Sequence, residues 1–380
     1  MTDNKADRNE RFEEFKGCRF PTAHEDVTTL LAQINPVKYA QSRNFSDGAV
    51  SRLSPYISRG FLSTRQVYSH VKSLGLSWYQ AEKFTQELAW RDYWQQVWLA
   101  KGEGIHSDLK RPQERVSNEE MPRAVVDAST GIEAVDVAIR KLYETGYMHN
   151  HMRMYVASIC CNIAKCHWFT PARWMYAHLL DGDLASNQLS WQWVAGAFSN
   201  KKYYANQDNI NKYFKSAQKN TFLDLGYEAF EELEIPDALL ETTTGAVGCS
   251  LPNTNPPNLD ATKKTLVYNY YNLDPLWHKD EDVQRIFLLE PSVFQKHPVS
   301  QRSLDFAIDL SKNISNIKVF VGEYEELLQQ IAAAQIVYKE HPLNPYYQGT
   351  EEPREWMSNV QGYFPSFFGF WKKCKKELRQ

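Results

Sequence analysis

LLDGDLASNQLSWQWVAGAFSNKKYY, residues 179–204, crowds more chemistry together than any other stretch of this 380-residue chain. Asp181, Asp183, Asn187, Trp191 and Trp193 fall within it, and Lys201 and Lys202 follow. Asp-Gly-Asp could open a calcium loop, but the further oxygen ligands of such a loop are missing. An uncharged amide and two indoles beside the acids suit an aromatic heterocycle better than a cation. Aromatic content points the same way. Eleven Trp, 21 Tyr and 19 Phe make up 13% of the chain, and many lie beside polar residues, as in a wall that stacks flat ligands.

Upstream, the pattern is helix after helix through residue 240. In GIEAVDVAIRKLYETG, Ile132, Val135, Ile139 and Leu142 recur at helical spacing and Gly146 closes the run. HNHMRMYVASICCNIAKCHW reads as one helix. TPARWMYAHLL reads as another, with Thr170 and Pro171 at its cap and first turn. No strand is expected before Glu241. In FTQELAWRDYW, Glu87, Trp90, Arg91 and Trp94 stand at i, i+3, i+4 and i+7 and so share one helix face. That face can hold a flat, polar-edged ring. Taken alone, a half-buried ion pair under aromatic packing is the commoner arrangement. In GYMHNHMRM, His149 and His151 straddle Asn150, and their i, i+2 spacing points them apart, which disfavours shared metal ligation.

Downstream, residues 241–264 are rich in Thr, Gly, Asn and Pro and read as a linker. From residue 265 the period changes. TLVYNYY (265–271), RIFLL (285–289), IKVFV (317–321) and QIVYK (335–339) are short strand-like runs. SQRSLDFAIDLSKNI and EYEELLQQIAAA lie between the later ones as helices. The expected class is therefore α + α/β: a helical domain over 1–240, then a small parallel-sheet α/β domain over 265–380. FFGFWKKCKKELRQ reads as a closing basic amphipathic helix.

A net charge of −3 does not announce a nucleic-acid binder, nor does it exclude one with a local basic face. Lys201, Lys202, Lys212, Lys215 and Lys219 offer such a rim, or equally a solvated charged face. The first seventeen residues are charged throughout, with no apolar run of signal-peptide length, and no run approaches a membrane span. Cys18, Cys160, Cys161, Cys166, Cys249 and Cys374 form no CxxC pair. Buried free thiols are the usual reading of the middle three, a metal or iron–sulfur site the rarer one. No metal is expected, and the expected setting is a cytosolic monomer.

LSPYISRGFLSTRQVY, ELAWRDYW, GYMHNHMRM and DGDLASNQLSWQW, in this order, closely resemble the FAD-binding domain of photolyases and cryptochromes, over about residues 39–214. The resemblance implies FAD folded inside a helical bundle. It implies that Tyr39, Arg43, Ser51, Leu53 and Ser54 line its phosphate side, and that Arg91, Arg153, Asp181 and Asp183 surround the isoalloxazine. Asn187 would face flavin N5. Glu87, Trp90, Asn150, Met154 and Trp193 match the pocket that receives a flipped cyclobutane pyrimidine dimer, where members acting on (6-4) photoproducts carry histidines in place of Asn150 and Met154.

Trp191 and Trp168 match the first two members of the family's electron relay, and Arg115 stands where the third is usual. His151 replaces a DNA-contacting arginine and Tyr147 a tryptophan. The implied activity is light-driven repair of pyrimidine dimers in DNA, favouring single-stranded or locally opened DNA. A cryptochrome-type light sensor is the alternative, and a non-catalytic DNA-binding flavoprotein a third. Family members usually begin with an α/β domain holding an antenna chromophore. Residues 265–341, with RIFLLEP and IKVFVGEYEELL, resemble that domain moved to the C-terminal side. An unrelated α/β appendage remains the other reading, and whether a second chromophore binds stays open.

Overall fold

The computed structural model describes residues 20–379; the charged N-terminal stretch and Cys18 lie outside them. Helices carry the chain from His24 to Phe214. The longest, Trp78–Lys101, starts at a capping box between Ser77 and Gln80 and stops at left-handed Gly102. The Glu133–Thr145 helix buries Val135, Ile139 and Leu142, and Gly146 (φ 70°) ends it with an N–H bond to Leu142 O at 2.8 Å. Both follow the sequence pattern.

Four local expectations are corrected. The stretch around Cys160 is not one helix. Asn150–Ser158 is helical, Ile159–Ile163 is a π-turn, and Lys165 (φ 53°) then swings the chain out, so that Cys166 pairs with Asn118. The next helix begins at Phe169 rather than at Pro171, because Trp168 caps it: its carbonyl takes the first helical bond from Ala172, and its N–H goes to Gln113 Oε1 at 2.9 Å. The helical part also holds a strand, β1 (Met121–Pro122), which pairs antiparallel with β2 (Thr242–Thr243). Finally, EYEELLQQIAAA is helical only over Tyr324–Leu328, with a 3₁₀ turn at Ala333–Gln335.

The remaining strands form one parallel sheet. They are β3 (Thr265–Tyr268), β4 (Gln284–Leu289), β5 (Ile317–Val321), β6 (Ile336–Lys339) and β7 (Thr350–Glu352), in the spatial order β5-β4-β3-β6-β7. The parallel sheet was expected; β7 was not. The first strand also stops short of residue 271, because Asn269 bends the chain by accepting from Tyr271 N at 2.9 Å.

Strand order reverses between β3 and β6, the crevice where open α/β sheets bind ligands at their carboxyl ends. Here that crevice abuts the helical part. Ser58, Thr64 and Asp92 from the helices meet Asn272, His341, Arg354 and Trp356 around a cavity of about 90 Å³. Ligand pockets run to roughly 300–1,000 Å³, and this crevice is smaller.

Arg59 is fully buried at the junction. Its guanidinium donates to Gly182 O and Tyr270 O and lies 3.8 Å from the Tyr270 ring centre and 4.8 Å from that of Tyr271. A desolvated cation over two rings contributes about 2 kcal/mol or more. One apolar core accordingly runs from Val27 through Tyr56 and Trp98 to Leu266, Phe287 and Trp371, and a second gathers the Met121–Leu239 helices. The C-terminal helix, Phe367–Leu378, packs on the Trp78–Lys101 helix and buries Phe367, Phe370, Trp371, Cys374 and Leu378.

Candidate functional site

A cavity of about 430 Å³ opens in the helical part. Glu87, Trp90, Arg91 and Trp94 all line it, so the shared helix face read from spacing is a wall. Asn150, Arg153 and Met154 come from the Asn150–Ser158 helix. Asp181, Asp183, Asn187, Trp191 and Trp193 come from the loop and helix of the 179–204 stretch. Tyr39, Ser51 and Ser54 close the opposite end. Arg43 and Leu53 are not among the lining residues: Leu53 is buried, and Arg43 reaches Glu87 Oε1 at 3.7 Å. Trp168 is also outside the lining, fully buried, with Nε1 donating to Asp108 at 2.6 Å.

The polar floor is tied together. Arg153 donates to both Asp181 oxygens at 2.9 Å, and Asp181 is nearly buried. Burial pushes the Asp181 carboxyl up. The Arg153 charge and hydrogen bond, the Ser54 hydroxyl and Arg91 outweigh it and hold the carboxyl below its ordinary value. Asp183 caps the Leu184–Ala195 helix through Ser186 N at 2.7 Å and accepts from Gln95 Nε2 at 2.6 Å. Gln95 Oε1 accepts in turn from Arg354, which pairs with Glu340. The floor of the cavity is thus braced from the sheet. Arg91 donates to Ser58 Oγ at 2.8 Å. Asn187 lines the cavity and donates one amide N–H to Ala172 O at 2.8 Å, which leaves a second N–H and the oxygen for a ligand.

Glu87 is both a wall residue and a paired one, bonded to Lys83 at 2.8 Å, so an ion pair and a place in the cavity lining coexist. Trp90 has Trp94 on one side and stacks on Phe367 on the other, with ring centres 3.6 Å apart and planes at 8°. Trp193 is 37% exposed at the mouth. Burial first, then His151 and Arg153, lower the His149 imidazole to about 4; burial also lowers His151. Both shifts favour the neutral imidazoles, which disfavours His151 as a phosphate-pairing cation. On the rim, Lys215 pairs with Asp47, and Lys202 bonds Glu114 O at 3.1 Å. Cys160, Cys161 and Cys166 are buried free thiols. Among the described residues no three His, Cys, Asp or Glu side chains cluster for a metal, and no helix is long and apolar enough to cross a membrane.

The sequence reading missed Arg52, Tyr147, Ser186 and Ser190 as lining residues. Ser186 and Ser190 had a signal, since they stand at i+3 and i+7 from Asp183. Arg52 had none. It occupies the left-handed region (φ 54°) just before the Ser54–Ser58 helix, and nothing in its neighbours announces that turn.

Acids, guanidinium groups, an amide and indole walls around one slot make a site suited to a flat, polar-edged cofactor. Residues 84–222 match the family model described as the FAD binding domain of DNA photolyase. Among relatives, the deoxyribodipyrimidine photo-lyase of Streptomyces griseus is 37% identical over 149 residues, covering 39% of this chain and 32% of that protein. That of Vibrio cholerae is 33% identical over 189 residues, 45% of this chain and 39% of the relative. A cryptochrome structure from Synechocystis sp. PCC6803 is 26% identical with a TM-score of 0.46, covering 51% of this chain and 44% of that one. The chain thus spans 32–39% of the length of these two curated relatives. Residues 84–222 are thus similar to the FAD-binding domain of DNA photolyases.

Proposed function

We propose that this protein binds FAD in the 430 Å³ cavity and repairs cyclobutane pyrimidine dimers in DNA under light. The observation that carries the reading is a single cavity that joins Glu87, Trp90, Asn150, Met154 and Trp193 to Asp181, Asp183, Arg91 and Asn187. Bound and reduced FAD supplies the light-driven electron that opens the dimer and recovers it afterwards.

The chain's own residues do the rest. Trp90 and Trp193 stack a flipped dimer, which costs less to extrude than an intact step. Glu87, steered by Lys83 and Arg43, hydrogen-bonds the pyrimidine edge. Asn150 and Met154 complete a neutral lesion pocket. Arg153 and Asp181 clamp the cofactor's polar edge, and the Asn187 oxygen accepts from a flavin N–H, favouring the reduced ring. Tyr39, Ser51 and Ser54 face its phosphates, with Arg43 and Leu53 shaping that end from behind. Reduced protein given matched oligonucleotides under blue light should restore the cyclobutane dimer and leave the (6-4) photoproduct intact. Repair of both, or of the (6-4) product alone, contradicts the pocket assignment. FAD photochemistry with no repair favours the light-sensor reading.

Trp191 lines the cavity and Trp168 is fully buried; in this reading Trp191 is the first relay member and Trp168 the next. The third place is an exposed arginine: Arg115 bonds Glu231 O and sits near Glu232. Trp168→Phe is therefore expected to slow photoreduction of the oxidised protein by tenfold or more, read by flavin absorbance during illumination. Chemical reduction should restore repair. An unchanged photoreduction rate removes Trp168 from the path.

A further inference from the structure

The closing helix Phe367–Leu378 carries chemistry that the cavity does not use. Phe368, Lys372, Lys376 and Arg379 recur at three- and four-residue spacing, so they share the face opposite the buried one. Phe368 is 70% exposed. Lys372, Lys376 and Arg379 have no acidic partner among the described residues, whereas Lys375 pairs with Glu82.

The helix meets the lesion pocket at its start, where Phe367, on the buried face beside Phe368, stacks on Trp90, a wall of the cavity. At its end, the Arg379 guanidinium lies 5.7 Å from the ring centre of Tyr79, itself 77% exposed. Tyr79, Lys83 and Glu87 then follow at one-turn intervals along the neighbouring helix, back to the cavity wall. Three cations, Lys372, Lys376 and Arg379, are thus flanked by two exposed rings, Phe368 and Tyr79, beside the helix that carries the cavity wall.

We infer that this strip, Tyr79 with Phe368, Lys372, Lys376 and Arg379, is a docking track for the single-stranded DNA flanking a dimer held at Trp90. The inference rests on the proposed repair function. Residues 368–379 span about 16 Å at 1.5 Å per residue. Sequence-tolerant single-strand binding combines a cationic groove for the backbone with rings on which bases stack, and such stacking contributes roughly 1–3 kcal/mol per base. A duplex hides its base faces and would leave Phe368 and Tyr79 without partners. Charge and exposed aromatics together select the single strand.

The test uses the full protein with FAD bound and oligonucleotides carrying one thymine dimer, short- or long-flanked, single- or double-stranded. The track predicts that K372E/K376E weakens binding of the long-flanked single strand about tenfold, and lowers the salt slope by about 1.4 for two lost phosphate contacts. The loss should shrink as the flanks shorten. F368A should weaken the same complex without changing the salt slope. The control K263E/K264E makes the same charge change at the amino end of β3, away from the junction, and should leave affinity unchanged. Flavin absorbance and circular dichroism confirm folding. Wild-type repair with K372E/K376E binding every oligonucleotide normally overturns the track and leaves the repair function standing. A loss confined to duplex overturns the single-strand assignment. Absence of repair by the wild type refutes the repair function itself.

Discussion

Asp181→Ala should empty the cavity of flavin and lower the folding free energy by about 3–5 kcal/mol, the range for breaking a buried ion pair by removing one partner. Asp181 is the fixed anion of the floor, and Arg153 bridges both its oxygens at 2.9 Å. Without the carboxylate, a guanidinium that is itself four-fifths buried keeps its charge with no counterion.

The pH dependence has a definite sign. The folded pKa lies below the ordinary carboxylate value, so the pair stabilises the fold fully above that value, and its contribution is lost as pH falls through the lowered one. Wild-type denaturation midpoints should therefore drop in acid, and those of Asp181→Ala should be lower at neutral pH and approach the wild type as the pair's contribution is lost. Flavin absorbance of the purified variant and chemical denaturation across pH measure both effects. A variant that keeps its flavin and its stability removes the pair from the account.

Trp90→Ala should cost on two counts. The half-buried indole stacks face to face on Phe367 and forms a wall of the cavity, so truncation uncovers the C-terminal helix and costs the fold less than the roughly 3–5 kcal/mol of a fully buried Trp→Ala. It also removes a stacking partner from the flipped dimer, about 1–3 kcal/mol, or roughly five- to 150-fold in affinity. Trp90→Phe separates the two. A smaller ring still covers Phe367, so stability should largely return while dimer affinity recovers only in part. Urea midpoints and binding of a dimer-containing oligonucleotide in the dark read the two effects independently. Equal recovery of both would make Trp90 a packing residue and nothing more.

Much of this was legible in the sequence because it was written in helical periodicity. The shared face of Glu87, Trp90, Arg91 and Trp94 followed from spacing alone, as did the stop at Gly146 and the parallel sheet. What escaped depends on contacts between distant residues. Met121–Pro122 is a strand only because Thr242–Thr243 arrives beside it. Thr350–Glu352 carries exposed polar side chains with no alternation to mark it. The π-turn at Ile159–Ile163 shares its composition with an ordinary buried helix. In the site, Arg52 depends on a left-handed backbone, and the stack of Phe367 on Trp90 joins residues far apart in the chain. No local pattern carries either.

The central claim is that one cavity holds both the flavin and the lesion, and repair of a thymine dimer by chemically reduced protein, in light against dark, tests it most directly. The account predicts that bases are restored only under blue light and only by protein with bound FAD, and that Asp181→Ala is inactive. Folded, flavin-loaded and reduced protein that leaves the dimer intact under light, or restores it equally in the dark, would contradict it.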